Sequence, residues 1–155
     1  MNIRTATLQD IDQIAAVEKE CFPAAEAATK EEFEQRLSHY ADHFWLMFED
    51  DTLIAFVDGM VTDQADLTDE MYENASMHQE DGAWQMIFGV NTLPAYRNHG
   101  YAGELLKERS QMQKTREEKV LSLRAKTGWC ITMQNLVLKM KEFQNLCMEI
   151  SCGIR

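Results

Sequence analysis

The stretch Arg97-Asn98-His99-Gly100-Tyr101-Ala102-Gly103 lies between an apolar segment, Trp84 to Asn91, and a segment of helical composition. A turn that opens a helix leaves backbone amides without intrahelical acceptors, and the helix dipole favours a nearby negative charge by about 0.3–1 kcal/mol. Glycine and other small residues in such a turn would allow a diphosphate to approach the main chain closely. The turn therefore predicts an anion-binding site, with a plain strand-to-helix connection as the alternative.

The residues before this turn predict a weak edge strand, two helices and a β-hairpin. Capping signals at Thr7 and Thr29 predict the starts of the helices, the first ending before Pro23 and the second reaching about Tyr40. Apolar residues at helical spacing follow Thr7 and support the first helix. Two apolar runs then flank a short acidic turn and predict the hairpin: Phe44–Phe48 and Leu53–Val57.

The remaining elements complete a mixed α/β pattern. A long polar segment from Thr62 to Gly82 carries seven carboxylates and no Lys or Arg, which is typical of a functional or mobile loop with a short helix. A third central strand is expected over Trp84–Asn91, a helix from Tyr101 to about Glu117, and a strand at Val120–Leu123. The order β-α-α-β-β-β-α-β predicts one domain over residues 1–155, with a mixed sheet flanked by helices.

Composition narrows the classes of function. The formal net charge of −11 argues against a nucleic-acid partner and is compatible with a cationic substrate, although solubility alone would also explain it. No apolar run is long enough for a membrane helix, the first residues do not resemble a secretory signal, and a cytoplasmic location is expected. The four cysteines show no metal-binding spacing, so no metal is expected.

The turn also resembles a known family motif. The pattern [Arg/Gln]-x-x-Gly-x-[Gly/Ala], present at Arg97, Gly100 and Ala102, is similar to the cofactor motif of the GNAT superfamily of N-acetyltransferases. The segments Leu53–Gly59 and Met86–Val90 resemble the third and fourth strands of that family. The acidic loop and the run Glu20-Cys21-Phe22-Pro23 resemble the serotonin (arylalkylamine) N-acetyltransferase branch. The resemblance covers residues 1–119 and leaves residues 120–155 as an atypical tail.

The resemblance implies a fold, a cofactor and a reaction. It implies a GNAT-like sheet of about five strands, acetyl-CoA as co-substrate, and acetyl transfer to a primary amine of a small molecule. It also implies that the backbone N–H of Val90 stabilises the tetrahedral oxyanion, and that Phe22 and Pro23 help to wall the amine pocket. Gly89 would form a bulge or be a tolerated strand glycine. The implied cofactor-binding residues are Phe88, Gly89, Val90, Arg97, Asn98, His99, Gly100, Tyr101, Ala102 and Gly103.

The general base is left open by the sequence. The two histidines that relay the proton in the serotonin branch correspond to Trp84 and Met86, and neither side chain accepts a proton. Glu26 is a candidate base, with a water molecule held by the acidic loop and a merely solvated Glu26 as the alternatives. The other histidines outside the motif, His39, His43 and His78, show no partner in the sequence.

The tail departs from the family pattern. The family's acid is a tyrosine after the fifth strand, but Tyr101 is the last tyrosine here, and residues 120–155 carry five Lys or Arg against two acids where the preceding part carries ten against twenty-four. The codons for Trp129–Leu138, read in a shifted frame, permit Val-His-Tyr-Tyr-Ala-Lys-Phe-Gly-Phe. We therefore hypothesise a frameshift after about residue 120, which would remove the last two family strands.

A genuine C-terminal helix is the alternative for the tail, since apolar residues from Met133 to Ile150 fall on one helical face. Its apolar face, or the uncovered sheet edge, could drive homodimer formation. Two further functions stay open beside the small-molecule acetyltransferase. One is a coenzyme A-binding module with impaired catalysis, and the other is a protein or peptide N-acetyltransferase.

The frameshift hypothesis makes a direct genetic prediction. Sequencing of the parent gene should show the Tyr-Tyr-containing run in the shifted frame over the codons of Trp129–Leu138. A gene whose shifted frame encodes no such run would refute the hypothesis.

Overall fold

The computed structural model describes residues 1–64, 66–114 and 120–121. Strands and helices follow one another in the predicted order, including the short helix predicted in the acidic loop. One short strand, Val61–Thr62, is additional, and the strand predicted over Trp84–Asn91 is divided into two. The elements are β1 (Asn2–Thr5), α1 (Ile11–Cys21), α2 (Lys30–Tyr40), β2 (Phe44–Glu49), β3 (Thr52–Asp58), β4 (Val61–Thr62), α3 (Asp69–Glu73), β5 (Trp84–Gln85), β6 (Gly89–Thr92), α4 (Tyr101–Lys114) and β7 (Val120–Leu121).

The strands form two sheets, one of four strands and one of three. An antiparallel sheet has the order β1-β2-β3-β6, and a smaller one has the order β4-β5-β7, in which β5 and β7 run parallel. Helices cover both faces of the larger sheet: α1 and α2 pack on one face and α4 on the other. The mixed α/β architecture predicted from the sequence, a sheet flanked by helices, is confirmed.

The helix starts arise from the local chemistry that the sequence predicts. Thr29 and Glu32 form a reciprocal capping box, in which the Glu32 amide donates to the Thr29 hydroxyl (3.2 Å) and the Thr29 amide to the Glu32 carboxylate (2.7 Å). Asp10 accepts a hydrogen bond from the Thr7 amide (2.8 Å) and two from the Arg4 guanidinium (2.7 and 2.8 Å). These contacts satisfy free amides at the starts of α2 and of the turn before α1.

The core follows the alternation of side chains along β2. Phe44 and Leu46 face α1 and α2, while Trp45 and Met47 face α4. Both groups are buried, so β2 carries apolar residues on both faces and reads as a continuous apolar run. The covering residues from the helices are Ile14, Val17, Phe33 and Leu37 on one side and Leu105 and Leu106 on the other.

The prediction of one continuous strand over Trp84–Asn91 is wrong, because the strand is interrupted between β5 and β6. Val61 pairs with Gln85 and Asp58 pairs with Gly89, so two intervening residues on one strand face three on the other. The Phe88 amide also donates to the Asp58 carbonyl (2.8 Å). An extra residue opposite a single partner is a β-bulge, and it bends the strand.

Part of the predicted C-terminal region lies outside the described residues. The helix expected to reach Glu117 is described to Lys114, and the strand expected over Val120–Leu123 is described as Val120–Leu121. The proposed amphipathic helix, with apolar residues from Met133 to Ile150, lies outside the described residues, as does the shifted segment. None of the helices that the structure describes has the length and apolar character needed to span a membrane.

Gly59, which follows β3, lies so close to the interrupted strand that a larger residue there should lower stability. A Cβ atom at this position would overlap the Met86 carbonyl oxygen, which is backbone and cannot turn away. We expect Gly59→Ala to lower the free energy of unfolding by about 1–3 kcal/mol in urea titrations.

Gly103→Ala is the matched control for that substitution. Gly103 lies in the first turn of α4 with open space around its missing Cβ, so alanine should stabilise the helix by at most about 1 kcal/mol. Equal stability of the Gly59→Ala variant and the wild type would contradict the close approach of the two strands.

Candidate active site

The turn between β6 and α4 has a backbone shape that few residues adopt. Asn98 has φ of 66° and Gly100 has φ of 84°, both in the left-handed region where asparagine and glycine are favoured. The His99 ring fastens the turn, since Nδ1 lies 2.8 Å from the Arg97 carbonyl and 3.2 Å from the Tyr96 carbonyl. Because both partners are acceptors, the ring carries its proton on Nδ1.

The turn presents its amides to solvent. Within the described part of the chain, no hydrogen bond uses an amide from Asn98 to Gly103 as its donor, and the first helical bond runs from Glu104 N to Gly100 O (3.1 Å). The residues from Arg97 to Gly100 are exposed, and Cβ atoms added at Gly100 or Gly103 would meet nothing within 4 Å. The predicted anion-binding turn is therefore open, with free donors at a helix start.

The edge of β6 next to this turn also offers main-chain groups. β6 ends the larger sheet, and in the described residues no strand pairs with its outer side, because β7 pairs only with β5. Along β6, every second residue directs its amide to β3. The hydrogen bond from the Leu93 amide to the Ile54 carbonyl (2.9 Å) shows that Gly89 and Asn91 are among these residues. The Phe88 amide faces β3 as well. Of the three residues predicted to contact the cofactor arm, Val90 alone directs its amide to the open edge.

The end of α1 is tied to this edge of the sheet. The Cys21 thiol lies 3.3 Å from the Thr92 carbonyl, which also accepts a hydrogen bond from Arg97 Nε (3.1 Å). Phe22 is half-buried and Pro23 is exposed, so the two residues predicted to wall the amine pocket lie just beyond this contact. Burial raises the pKa of the Cys21 thiol despite the neighbouring Arg97, so the thiol is not an activated nucleophile.

Glu26, the candidate base from the sequence, lies in an exposed turn in which its own amide donates to the Pro23 carbonyl (2.9 Å). No described hydrogen bond or ion pair links its carboxylate to β6. Met86 and Trp84, at the positions of the family's histidines, pack against the core on the α1–α2 face. Among the described residues, no side-chain hydrogen bond joins Glu26 or a histidine to Phe88, Gly89 or Asp58.

A buried polar cluster that the sequence does not predict lies at the bulge. It comprises Glu18 of α1, Arg36 of α2, Asp58 at the end of β3 and Asn91 of β6, with exposed fractions of 8, 6, 2 and 1%. Arg36 donates to the Asp58 carboxylate (3.2 Å) and to the Tyr72 carbonyl (3.1 Å). The Glu18 carboxylate accepts hydrogen bonds from the Asn91 side-chain amide and from the Ala28 backbone amide. We refer to these four residues as the buried polar cluster.

The charges of this cluster do not balance when both acids are ionised, since two carboxylates share one guanidinium. Burial raises the pKa of Asp58 to about 7, and Arg36 offsets the effect only in part. Burial also raises the pKa of Glu18, with its two hydrogen bonds lowering it in part. The cluster therefore retains or releases a proton close to neutral pH.

A second polar group joins two histidines for which the sequence shows no partner. The Glu80 carboxylate lies 2.9 Å from His43 Nε2 and 2.8 Å from His78 Nε2, while His43 Nδ1 contacts the Gln85 side-chain oxygen (2.7 Å). Partial burial acts to raise the pKa of Glu80, but the two histidine contacts lower it overall. Burial lowers the pKa of His78.

These three side chains have the spacing of a metal site, because one ligand atom of each lies within 4.8 Å of the others. The Val61 amide, however, donates to His78 Nδ1 (3.1 Å), which requires that the neutral ring carry its proton on Nε2. That proton points to Glu80, and no lone pair of His78 is then available for a metal. The geometry favours a hydrogen-bonded cluster over a metal centre.

Comparisons with known proteins place the chain in a family. A family model for an acetyltransferase (GNAT) domain matches residues 2–128. Among curated proteins, nothing matches the chain.

Three solved structures illustrate the shared fold. The GphF GNAT-like decarboxylase, in complex with isobutyryl-CoA, is 24% identical with a TM-score of 0.69, over 77% of this chain and 62% of that one. The loading GNATL domain of CurA from Lyngbya majuscula is 19% identical with a TM-score of 0.70, over 79% and 63%. Diaminobutyrate acetyltransferase EctA from Paenibacillus lautus, with its substrate and coenzyme A, is 9% identical with a TM-score of 0.69, over 93% and 76%. The chain spans less than two thirds of the first two.

The raised pKa of Asp58 predicts an unusual pH dependence of stability. A carboxyl group whose pKa is higher in the folded state lowers the free energy of unfolding as pH rises from about 4 to about 7. We expect Asp58→Asn to raise the free energy of unfolding by roughly 1–3 kcal/mol at pH 8, with little gain near pH 4. Urea titrations at both pH values measure this difference.

Asp10→Asn should show the opposite sign and serves as the control. The Arg4 hydrogen bonds hold the pKa of Asp10 below its usual value, so this carboxylate stabilises the fold above about pH 4 and the stabilisation is lost in acid. A loss of stability at pH 8 in both variants would contradict the excess buried charge at Asp58.

Proposed function

Because the chain belongs to the GNAT acetyltransferase family, we propose that it transfers an acetyl group from acetyl-CoA to the primary amine of a small molecule. The observation that carries the proposal is the open turn from Asn98 to Gly103, whose amides have no acceptor among the described residues. A diphosphate there would be neutralised by main-chain donors and by the helix dipole. The proposal treats acetyl-CoA as co-substrate and requires no metal.

The rest of the cofactor would follow the outer edge of β6. We propose that the pantetheine arm pairs with this edge as a neighbouring strand would, next to Phe88, Gly89 and Val90. The Val90 amide would then donate to the thioester carbonyl and stabilise the oxyanion of the tetrahedral intermediate, a contribution of about 10²–10³-fold in rate. No described strand pairs with the outer side of β6, which supports this arrangement.

A small amine acceptor is favoured over a peptide by the covered α1–α2 face of the bulge. The Tyr72 ring packs on Phe88 with ring centres 4.6 Å apart, and Arg36 holds the Tyr72 carbonyl (3.1 Å), so the acidic loop covers this face. A peptide substrate needs an open groove there. Phe22 and Pro23, at the end of α1, would form part of the amine pocket. Likeness to the serotonin branch, a cytoplasmic location and a homodimer stay predictions.

A coenzyme A-binding module with impaired catalysis is the second candidate function. One observation favours it: the sequence has no tyrosine after Tyr101, whereas the family's acid is a tyrosine in that later region. This candidate shares the cofactor site and differs only in turnover. Under the frameshift hypothesis, impaired catalysis would be a property of this chain and not of its ancestor.

Calorimetric titration with acetyl-CoA tests the cofactor site. We expect the wild type to bind acetyl-CoA at a single site and Gly100→Ala to bind it about tenfold more weakly. Alanine at positive φ is strained, so the free turn relaxes, and restoring its shape on binding costs about 1–2 kcal/mol, about a tenfold change. Lys107→Ala, on the exposed part of the same helix, is the control and should bind as the wild type does.

Thiol release with an amine panel separates the two candidate functions. Turnover with a small primary amine supports the acetyltransferase, and binding without turnover supports the module. A wild-type protein that does not bind acetyl-CoA would overturn both.

A further inference from the structure

The buried polar cluster contains acceptor oxygens that meet beside the bulge. A Cβ atom at Gly89 would lie 2.7 Å from Asp58 Oδ1 and 3.4 Å from Asn91 Oδ1, so both oxygens lie against the same side of this glycine. Gly89 directly precedes Val90, whose amide faces the open edge. A donor held by both oxygens would therefore lie beside the place proposed for the thioester.

Asn91 has hydrogen-bonding capacity that the described residues do not use. Its side-chain amide donates to Glu18, which fixes the orientation of the group, and its Oδ1 atom is buried without a donor among the described residues. A buried acceptor without a donor costs about 1–3 kcal/mol, so it is commonly matched by a ligand or a water molecule. The missing partner must be an N–H or O–H donor.

The surroundings favour a cationic donor over a neutral one. With Glu18 and Asp58 ionised, the cluster carries one negative charge in excess, which an ammonium group would balance.

We propose that Asp58 and Asn91 hold the ammonium group of the acceptor beside Gly89, and that Asp58 is the catalytic base. The inference rests on the proposed function and supplies the base that Glu26 was expected to be. Asp58 Oδ1 accepts one proton from the ammonium, and the free amine forms a C–N bond with the thioester carbon. The C–S bond then breaks, the sulfur leaves with a proton from that nitrogen, and the Asp58 proton passes to solvent. The products are the acetamide and the free thiol of coenzyme A.

Asp58→Asn tests the proposal while preserving size and the contact with Arg36. Using acetyl-CoA with 2-phenylethylamine or 1,4-diaminobutane, we expect kcat/KM for the amine to fall by about 10²–10⁴-fold, with acetyl-CoA affinity within threefold of wild type. The wild-type rate should rise with pH through neutrality, and this dependence should vanish in the variant. The charged and titratable groups around Asp58 are Glu18, Arg36, Tyr40 and Tyr72. Asp10→Asn, another buried carboxylate, should leave the rate and its pH profile unchanged.

The possible outcomes distinguish a failure of the proposed function from a failure of this inference alone. If acetyl-CoA does not bind the wild type, the proposed function fails and this inference fails with it. If acetyl-CoA binds and Asp58→Asn keeps kcat/KM within threefold, the inference alone is overturned. If acetyl-CoA binds without turnover, calorimetry with each amine in the presence of coenzyme A decides: binding that Asp58→Asn weakens supports the ammonium site, and no binding by the wild type overturns it.

Discussion

The pairing of Phe88 and Gly89 with the single residue Asp58 is the constraint on which the rest of the site depends. The extra residue shifts the register between Gln85 and Gly89. In the described residues β5 pairs with β7, and no strand pairs with the outer side of β6. The same offset turns the Val90 amide away from β3. Gly59 permits the close approach to Met86 that the bend requires. The outward Val90 amide follows from this bulge. The free amides before α4 follow from the start of that helix, which comes after β6 in the chain.

The bulge also explains why a polar cluster is tolerated in the core. Asp58 ends β3 opposite the bulge, and its carboxylate is buried against Gly89, which has no side chain to exclude it. Burying two carboxylates with one guanidinium lowers stability at neutral pH, and apolar residues of similar size would avoid this loss. Residues retained against stability are common at functional sites, where they hold a ligand or move a proton.

The sequence predicted the features that depend on neighbouring residues. The capping box at Thr29, the β-hairpin and the glycine turn each lie within a few residues, and each is present in the structure. The interruption of the third strand was missed, because its position depends on the register with β3. The buried polar cluster and the contacts of Glu80 with His43 and His78 join residues 2 to 73 positions apart, and most of these partners have no local signal. Glu18 and Asp58 lie next to apolar runs in the sequence, and this position was the signal that could have indicated buried acids.

Backbone amide shifts of the ¹⁵N-labelled protein during titration with coenzyme A would test most directly whether main chain binds the cofactor. If it does, the largest changes fall on Val90 and on the turn from Asn98 to Gly103, while Gly89 and Asn91, whose amides face β3, change less. Changes confined to other residues, or none at all, would contradict the assignment of the bulge and the turn as one cofactor site.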